Sequence, residues 1–166
     1  MLFRSYNSSS PTYFNFNTQS SLQFAFTNNI GDLTNWTIEA WFNPSIDLSS
    51  LGSLALTAVV TTAYNIPEQP NVNYINYCLT NYAGSGGTVN GISVGFYNGL
   101  VPGGGWHLNT PLPTTPGHWY QVVGTYDGSN MIQYNNGVYS NSVTATGPST
   151  ANGGDLLIGR RWDGRS

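Results

Sequence analysis

Apolar and polar residues alternate with a period of two through most of the 166 positions, and no helical stripe competes with that alternation. Phe14 and Phe16 share one face of TYFNFN, and Leu22, Phe24 and Phe26 share one face of SLQFAF. Trp36, Ile38, Ala40 and Phe42 then alternate with Thr37, Glu39, Trp41 and Asn43. LALTAVVTT (54–62) reads as a more fully buried strand, followed by VNYINYCLT (72–80) and by GISVGFY (91–97), which aligns Ile92, Val94 and Phe96. HWYQVVGTY (118–126) sets Tyr120, Val122 and Tyr126 against Trp119, Val123 and Thr125. MIQYN and VYSNSV flank Asn136-Gly137, a dipeptide whose readiness for positive φ marks a tight hairpin. Asp127-Gly128 is a second turn of the same chemistry, and DLLIGR (155–160) is the last clear strand. About ten strands separated by turn residues predict an all-β chain folded as a two-sheet antiparallel jelly-roll sandwich.

Two connections stand apart. NIPEQPN (65–71) carries two prolines, and residues 98–117 hold four prolines and five glycines around the island Gly105-Trp106-His107-Leu108. A loop of that length in a compact domain is often functional. The same segment also reads as a crossover with one short strand at GWHLN.

Composition narrows the classes. Asn, Gly, Ser and Thr fill 74 positions, aromatics are 14% of the chain, and only 11 residues are charged, seven acidic and four Arg, with no Lys. Disorder needs few aromatics and high net charge, and coiled coils need Ala, Glu, Lys and Leu. Nucleic-acid binding needs a cationic face, yet three of the four Arg lie in the last seven residues. No apolar run is long enough to span a bilayer, and the N-terminal residues show no secretory signal pattern. Cys78, the single cysteine, allows no internal disulfide and reads as a buried strand residue.

WTIEAWFNP (36–44) and GHWYQVVGTYDGSNMIQYNNG (117–137), followed by Leu156-Leu157-Ile158-Gly159, resemble the laminin-G-like jelly roll of the concanavalin-A-like lectin/glucanase superfamily. The carrying residues are Glu39, Ala40, Trp41 and Pro44, then Trp119 through Tyr126, Asp127 and Gly128, then Asn136-Gly137. The resemblance implies a domain over residues 12–164, with 1–11 as an N-terminal extension and 165–166 as a tail. It further implies a closing strand of the pattern Gly-x-Ile-Asp-x-Val-x-Ile-Tyr, which does not follow Gly159. The expectation is a domain truncated before its last strand, the alternative being a strand supplied by another chain.

Enzymes of this superfamily place carboxylates two residues apart on one strand, where they share a face. No two carboxylates here lie within five residues of each other, and Glu39 reads instead as a hydrogen-bonded strand residue. No nucleophile elbow, no metal-ligand spacing and no phosphate loop occurs. The chain is therefore expected to be non-catalytic and to need no cofactor. Relatives that bind Ca²⁺ through Asp, Asn and carbonyls at the sandwich rim make Asp127, Asp155 and Asp163 candidates, although Asp-Gly is also ordinary turn chemistry.

Aromatic rings flanked by amides and carboxylates suit a glycan. The candidate ligand contacts in expected loops are Tyr64, Tyr82, Trp106, His107 and Trp162, with Asn98, Asn109 and Asp163 nearby, and Trp106 leads them. Trp41 and Trp119 read as packing residues. Tyr-, Asn- and Gly-rich surfaces without Lys also suit protein contacts. The expected partners are a glycan or neighbouring subunits, with no nucleic acid and no membrane. The expected role is a surface adhesion or glycan-binding module of an oligomer or larger assembly, on a virion or at an extracellular surface. The alternative is a purely structural capsid, decoration or filament subunit.

Overall fold

The computed structural model describes residues 2–5, 12–15, 22–24, 33–48, 57–65, 73–81, 91–97, 106–148 and 155–159. These form twelve strands and no helix longer than a single 3-10 residue, all pairings being antiparallel. They are β1 (Leu2–Ser5), β2 (Thr12–Asn15), β3 (Leu22–Phe24), β4 (Trp36–Asn43), β5 (Thr57–Asn65) and β6 (Asn73–Asn81), followed by β7 (Ser93–Tyr97), β8 (Trp106–Leu108), β9 (Tyr120–Tyr126), β10 (Asn130–Asn135), β11 (Val138–Thr144) and β12 (Asp155–Ile158). The first sheet runs β11-β10-β9-β4-β1-β2, and the second runs β3-β12-β5-β6-β7-β8. The expected two-sheet jelly roll is the fold.

One strand departs from the sequence reading, and another decides between its two alternatives. β1 lies within the segment expected as an extension, yet it pairs with β2 through Phe3↔Phe14 and with β4 through Phe3↔Phe42. β8 sits inside the long Pro/Gly-rich connection, so the crossover reading of that segment holds: Trp106, His107 and Leu108 pair with Tyr97, Phe96 and Gly95. Cys78 lies in β6 as expected, opposite Thr61 and Gly95.

The core forms where the two inner faces meet. Ile38, Ala40 and Phe42 of β4 and Val122 and Tyr126 of β9 face Val94 and Phe96 of β7, and all are buried. Removing one such large side chain from water contributes about 1.5–3 kcal/mol. Trp36, Phe96 and Tyr126 pack as an aromatic cluster, with Phe96 and Tyr126 centroids 4.6 Å apart. Phe42 and Tyr120 stack at 5.8 Å toward the other end. The Tyr126 hydroxyl donates to the carbonyls of Gly147 (2.6 Å) and Ala145 (3.1 Å), so this core residue also anchors the chain after β11.

A polar side chain of the first sheet reaches across the core. Gln133 of β10 is fully buried; its Oε1 accepts from Val94 N at 2.9 Å, and its Nε2 donates to Asn135 Oδ1 at 2.9 Å and Thr110 O at 3.3 Å. β7 pairs outward through Asn109 and then Leu112, so residues 110 and 111 swing away between them. Gln133 fills the backbone pairing that this excursion leaves open, joining the first sheet to the second.

Candidate functional site

Register decides which side chains each sheet offers to solvent. In the first sheet Trp36, Ile38, Ala40 and Phe42 point inward, so Thr37, Glu39, Trp41 and Asn43 point out. The β4–β9 pairing sets Trp41 beside Gln121 and Glu39 beside Val123, and β9–β10 sets Val123 beside Tyr134. Across the hairpin Tyr134 meets Tyr139, with ring centroids 6.2 Å apart and planes nearly perpendicular. Glu39, Val123, Tyr134 and Tyr139 thus form one row over four strands, about 14 Å long at the usual strand spacing. Trp41 and Gln121 begin the next row, with Trp119 beyond.

These positions are open. Trp41 is 40% exposed, Trp119 39% and Tyr139 57%. This corrects the expectation that both tryptophans serve packing: the alternation that buries Ile38 and Phe42 turns Trp41 outward, and Trp119, immediately before β9, is exposed as well. Beside Trp41 lies the Gln121–Glu39 pair, in which Gln121 Nε2 donates to Glu39 Oε1 at 2.6 Å. Gln121 is held in turn by the hairpin, since its N–H donates to Asn136 Oδ1 and its carbonyl accepts from Asn136 N, both at 2.9 Å. Asn136 and Gly137 take φ of 52° and 79°, the positive pair that a two-residue hairpin turn demands. Glu39 is the single charged residue in β4, β9, β10 and β11. The arrangement offers rings for apolar contact and a fixed amide–carboxylate pair for hydrogen bonds.

The second sheet differs at β7. Ser93 alternates away from Val94 and Phe96 and so faces outward, yet it is only 1% exposed. That part of its outer face is covered.

The residues singled out by sequence are dispersed. His107 stands opposite Phe96 and stacks on it at 5.1 Å, which places it on the core side of the second sheet; burial lowers its pKa. Asn109 is 3% exposed; its Nδ2 donates to Met131 O at 3.5 Å, and its Oδ1 has no partner among the described residues. Tyr64, expected in a loop, lies in β5 opposite Tyr74, because β5 continues past Thr62 to Asn65. Trp106 is in β8 opposite Tyr97. Asn98, Tyr82, Trp162 and Asp163 lie outside the described residues. The outward group of Glu39, Trp41, Trp119, Gln121, Tyr134 and Tyr139 was not singled out, although the alternation of 36–43 and 118–126 already set Trp41 and Trp119 opposite the apolar face.

Of the Ca²⁺ candidates, Asp127 is committed to its turn: its Oδ1 accepts from Asn130 N at 2.7 Å and Ser129 N at 2.9 Å, and those backbone hydrogen bonds lower its pKa. Asp155 opens β12, and Asp163 is not described. Among the described residues no three His, Cys, Asp or Glu gather as a metal site.

Residues 16–166 match the laminin-G-type family model described as the concanavalin A-like lectin/glucanases superfamily. The chain belongs to that superfamily. Its fold is similar to domain 4 of AbnA, a GH43 extracellular arabinanase from Geobacillus stearothermophilus, in complex with arabinotriose. There the TM-score is 0.58 at 15% identity, over 98% of this chain and 68% of that one. It is also similar to the native heptameric SAP-like pentraxin from Limulus polyphemus, with a TM-score of 0.52 at 18% identity, over 86% of this chain and 58% of that one. At these identities the likeness is one of fold. No curated protein is similar enough in sequence to be matched.

Proposed function

We propose that this laminin-G-like domain is a non-catalytic glycan-binding module, displayed at the surface of a larger assembly such as a virion, tail or appendage. The glycan lies on the outer face of the first sheet. The carrying observation is the set of exposed rings, Trp41, Trp119 and Tyr139, on the face that also carries the hydrogen-bonded Glu39–Gln121 pair. A sugar ring lays its apolar C–H face on an aromatic ring and turns its hydroxyls to amide and carboxylate partners at the edge, and a few fixed polar groups amid aromatic surface supply orientation. The row spans roughly 14 Å, which suits a short run of sugar residues better than a single one. The arabinotriose complex of the AbnA domain, on a similar fold, supports the ligand class. The non-catalytic reading rests on the scarcity of carboxylates: Glu39 has no acidic neighbour within five residues and is engaged by Gln121. The reading requires no cofactor.

Affinity electrophoresis against neutral polysaccharides, arabinan among them, tests it. The Trp41→Ala/Trp119→Ala double variant is expected to lose retardation by about tenfold or more, as for aromatic anchors at binding surfaces, while Trp106→Ala retains it. Loss on Trp106→Ala alone moves the site to β8. A wild-type protein that binds no glycan favours the structural-subunit reading, which the uncharged β10–β11 hairpin supports.

A further inference from the structure

The outer face of the first sheet carries its rings in two groups, and the register sets them apart. Trp41 faces out of β4 beside Gln121, and Trp119 immediately precedes β9. Tyr134 and Tyr139 belong to β10 and β11, where their rings meet edge to face at 6.2 Å and 81°. That packing restrains the plane of the Tyr139 ring. The strand order β11-β10-β9-β4 puts three strand spacings, about 14 Å, between Tyr139 and the strand of Trp41. The outward positions of β9 between the two groups hold Gln121 and Val123, neither of them a ring.

A gap of that size exceeds one sugar ring, so a single sugar meets one group and not both. A site that reads the end of a chain encloses that end in a concave pocket. Here both groups lie open on a sheet face, Trp41 and Trp119 at one end and Tyr139 at the other, and all three are exposed. A chain crossing the strands can therefore continue into solvent beyond either group. Once one stretch of a chain rests on Trp41, its contact with Tyr139 is intramolecular and adds affinity without a second cost of association.

Given the glycan-binding function, on which this depends, we infer that the face holds the interior of a linear polysaccharide laid across the strands. The tryptophans form one subsite, and Tyr139 forms a second that sets the chain length required. The ligand is then a polysaccharide recognised along its length, by internal residues and not by its ends.

Isothermal titration tests it with linear arabinan, xylan, galactan and glucan and the di-, tetra- and hexasaccharides of each. Wild-type affinity for a bound glycan is expected to rise from disaccharide to hexasaccharide by about tenfold or more. Reducing the terminal sugar of the hexasaccharide to its alditol is expected to leave that affinity unchanged. Tyr139→Ala should remove the gain and bind the hexasaccharide as the wild type binds the disaccharide, whereas Tyr139→Phe, which keeps the ring, should retain it. Trp41→Ala should weaken short and long chains alike. Binding that does not depend on length overturns the inference and leaves the glycan site standing. So does a Tyr139→Ala loss shared equally by short and long chains, or a hexasaccharide weakened by terminal reduction. A protein that binds none of these glycans overturns both.

Discussion

Gly124, at the centre of β9, marks how closely the two sheets approach. A Cβ there would lie 2.4 Å and 2.8 Å from the two γ-methyls of Val94 and 3.1 Å from Ile38 Cγ2. Nothing else about the position calls for glycine; the need is for room opposite β7. Gly124→Ala is therefore expected to cost about 1–3 kcal/mol through overpacking, read as a lower urea midpoint with an unchanged slope. His107 is a second residue whose worth depends on its surroundings. Stacked on Phe96 and partly buried, it has a pKa below its ordinary value of about 6.5, because burial disfavours the imidazolium. The unfolded chain then binds the proton more readily than the folded one. The contribution of His107 is full above about pH 6.5 and is lost as pH falls below it, through the lower folded value. Melting temperature should decline on acidification through that window, and His107→Phe, which keeps an aromatic ring on Phe96, should flatten the decline.

The elements of the fold were largely legible, because alternation and turn chemistry are local signals. β4, β9 and the Asn136-Gly137 hairpin stand where their residues put them. The direction in which a strand faces was less legible. In Met131-Ile132-Gln133-Tyr134 hydropathy does not choose a face. Pairing with β9 turns Met131 and Gln133 inward and leaves Ile132 and Tyr134 out. The aromatic row was missed for a related reason: β4 carries a tryptophan on each face, and only the second sheet decides that Trp36 is covered while Trp41 is not. β1 escaped notice because four residues, one of them Arg4, are too few to show a period. The inward Gln133 is the element-scale consequence that can be measured. Gln133→Leu keeps the bulk but orphans the buried Val94 N–H, at an expected cost of about 1–3 kcal/mol. Amide exchange at Val94 should quicken by more than that at Val122, whose pairing does not pass through Gln133.

At the scale of the whole molecule the ruling fact is the lack of charge: 11 charged residues in 166 and a net charge of −3. One charged residue lies in the four strands that carry the aromatic row, and none lies in the hairpin ending in β11. Salt weakens interactions between charges by screening, whose range shrinks from about 10 Å at 0.1 M to about 3 Å at 1 M. Stacking on Trp41 and Trp119 has almost nothing for it to screen. Glycan affinity is therefore expected to change by less than about twofold over that range of sodium chloride, measured by isothermal titration. Three of the four arginines lie at positions 160–165, away from that surface in sequence. A steep loss of glycan affinity with salt would transfer the binding to that basic segment and away from the sheet. A flat response, with affinity lost on Trp41→Ala/Trp119→Ala, would leave the neutral face of the first sheet as the binding surface.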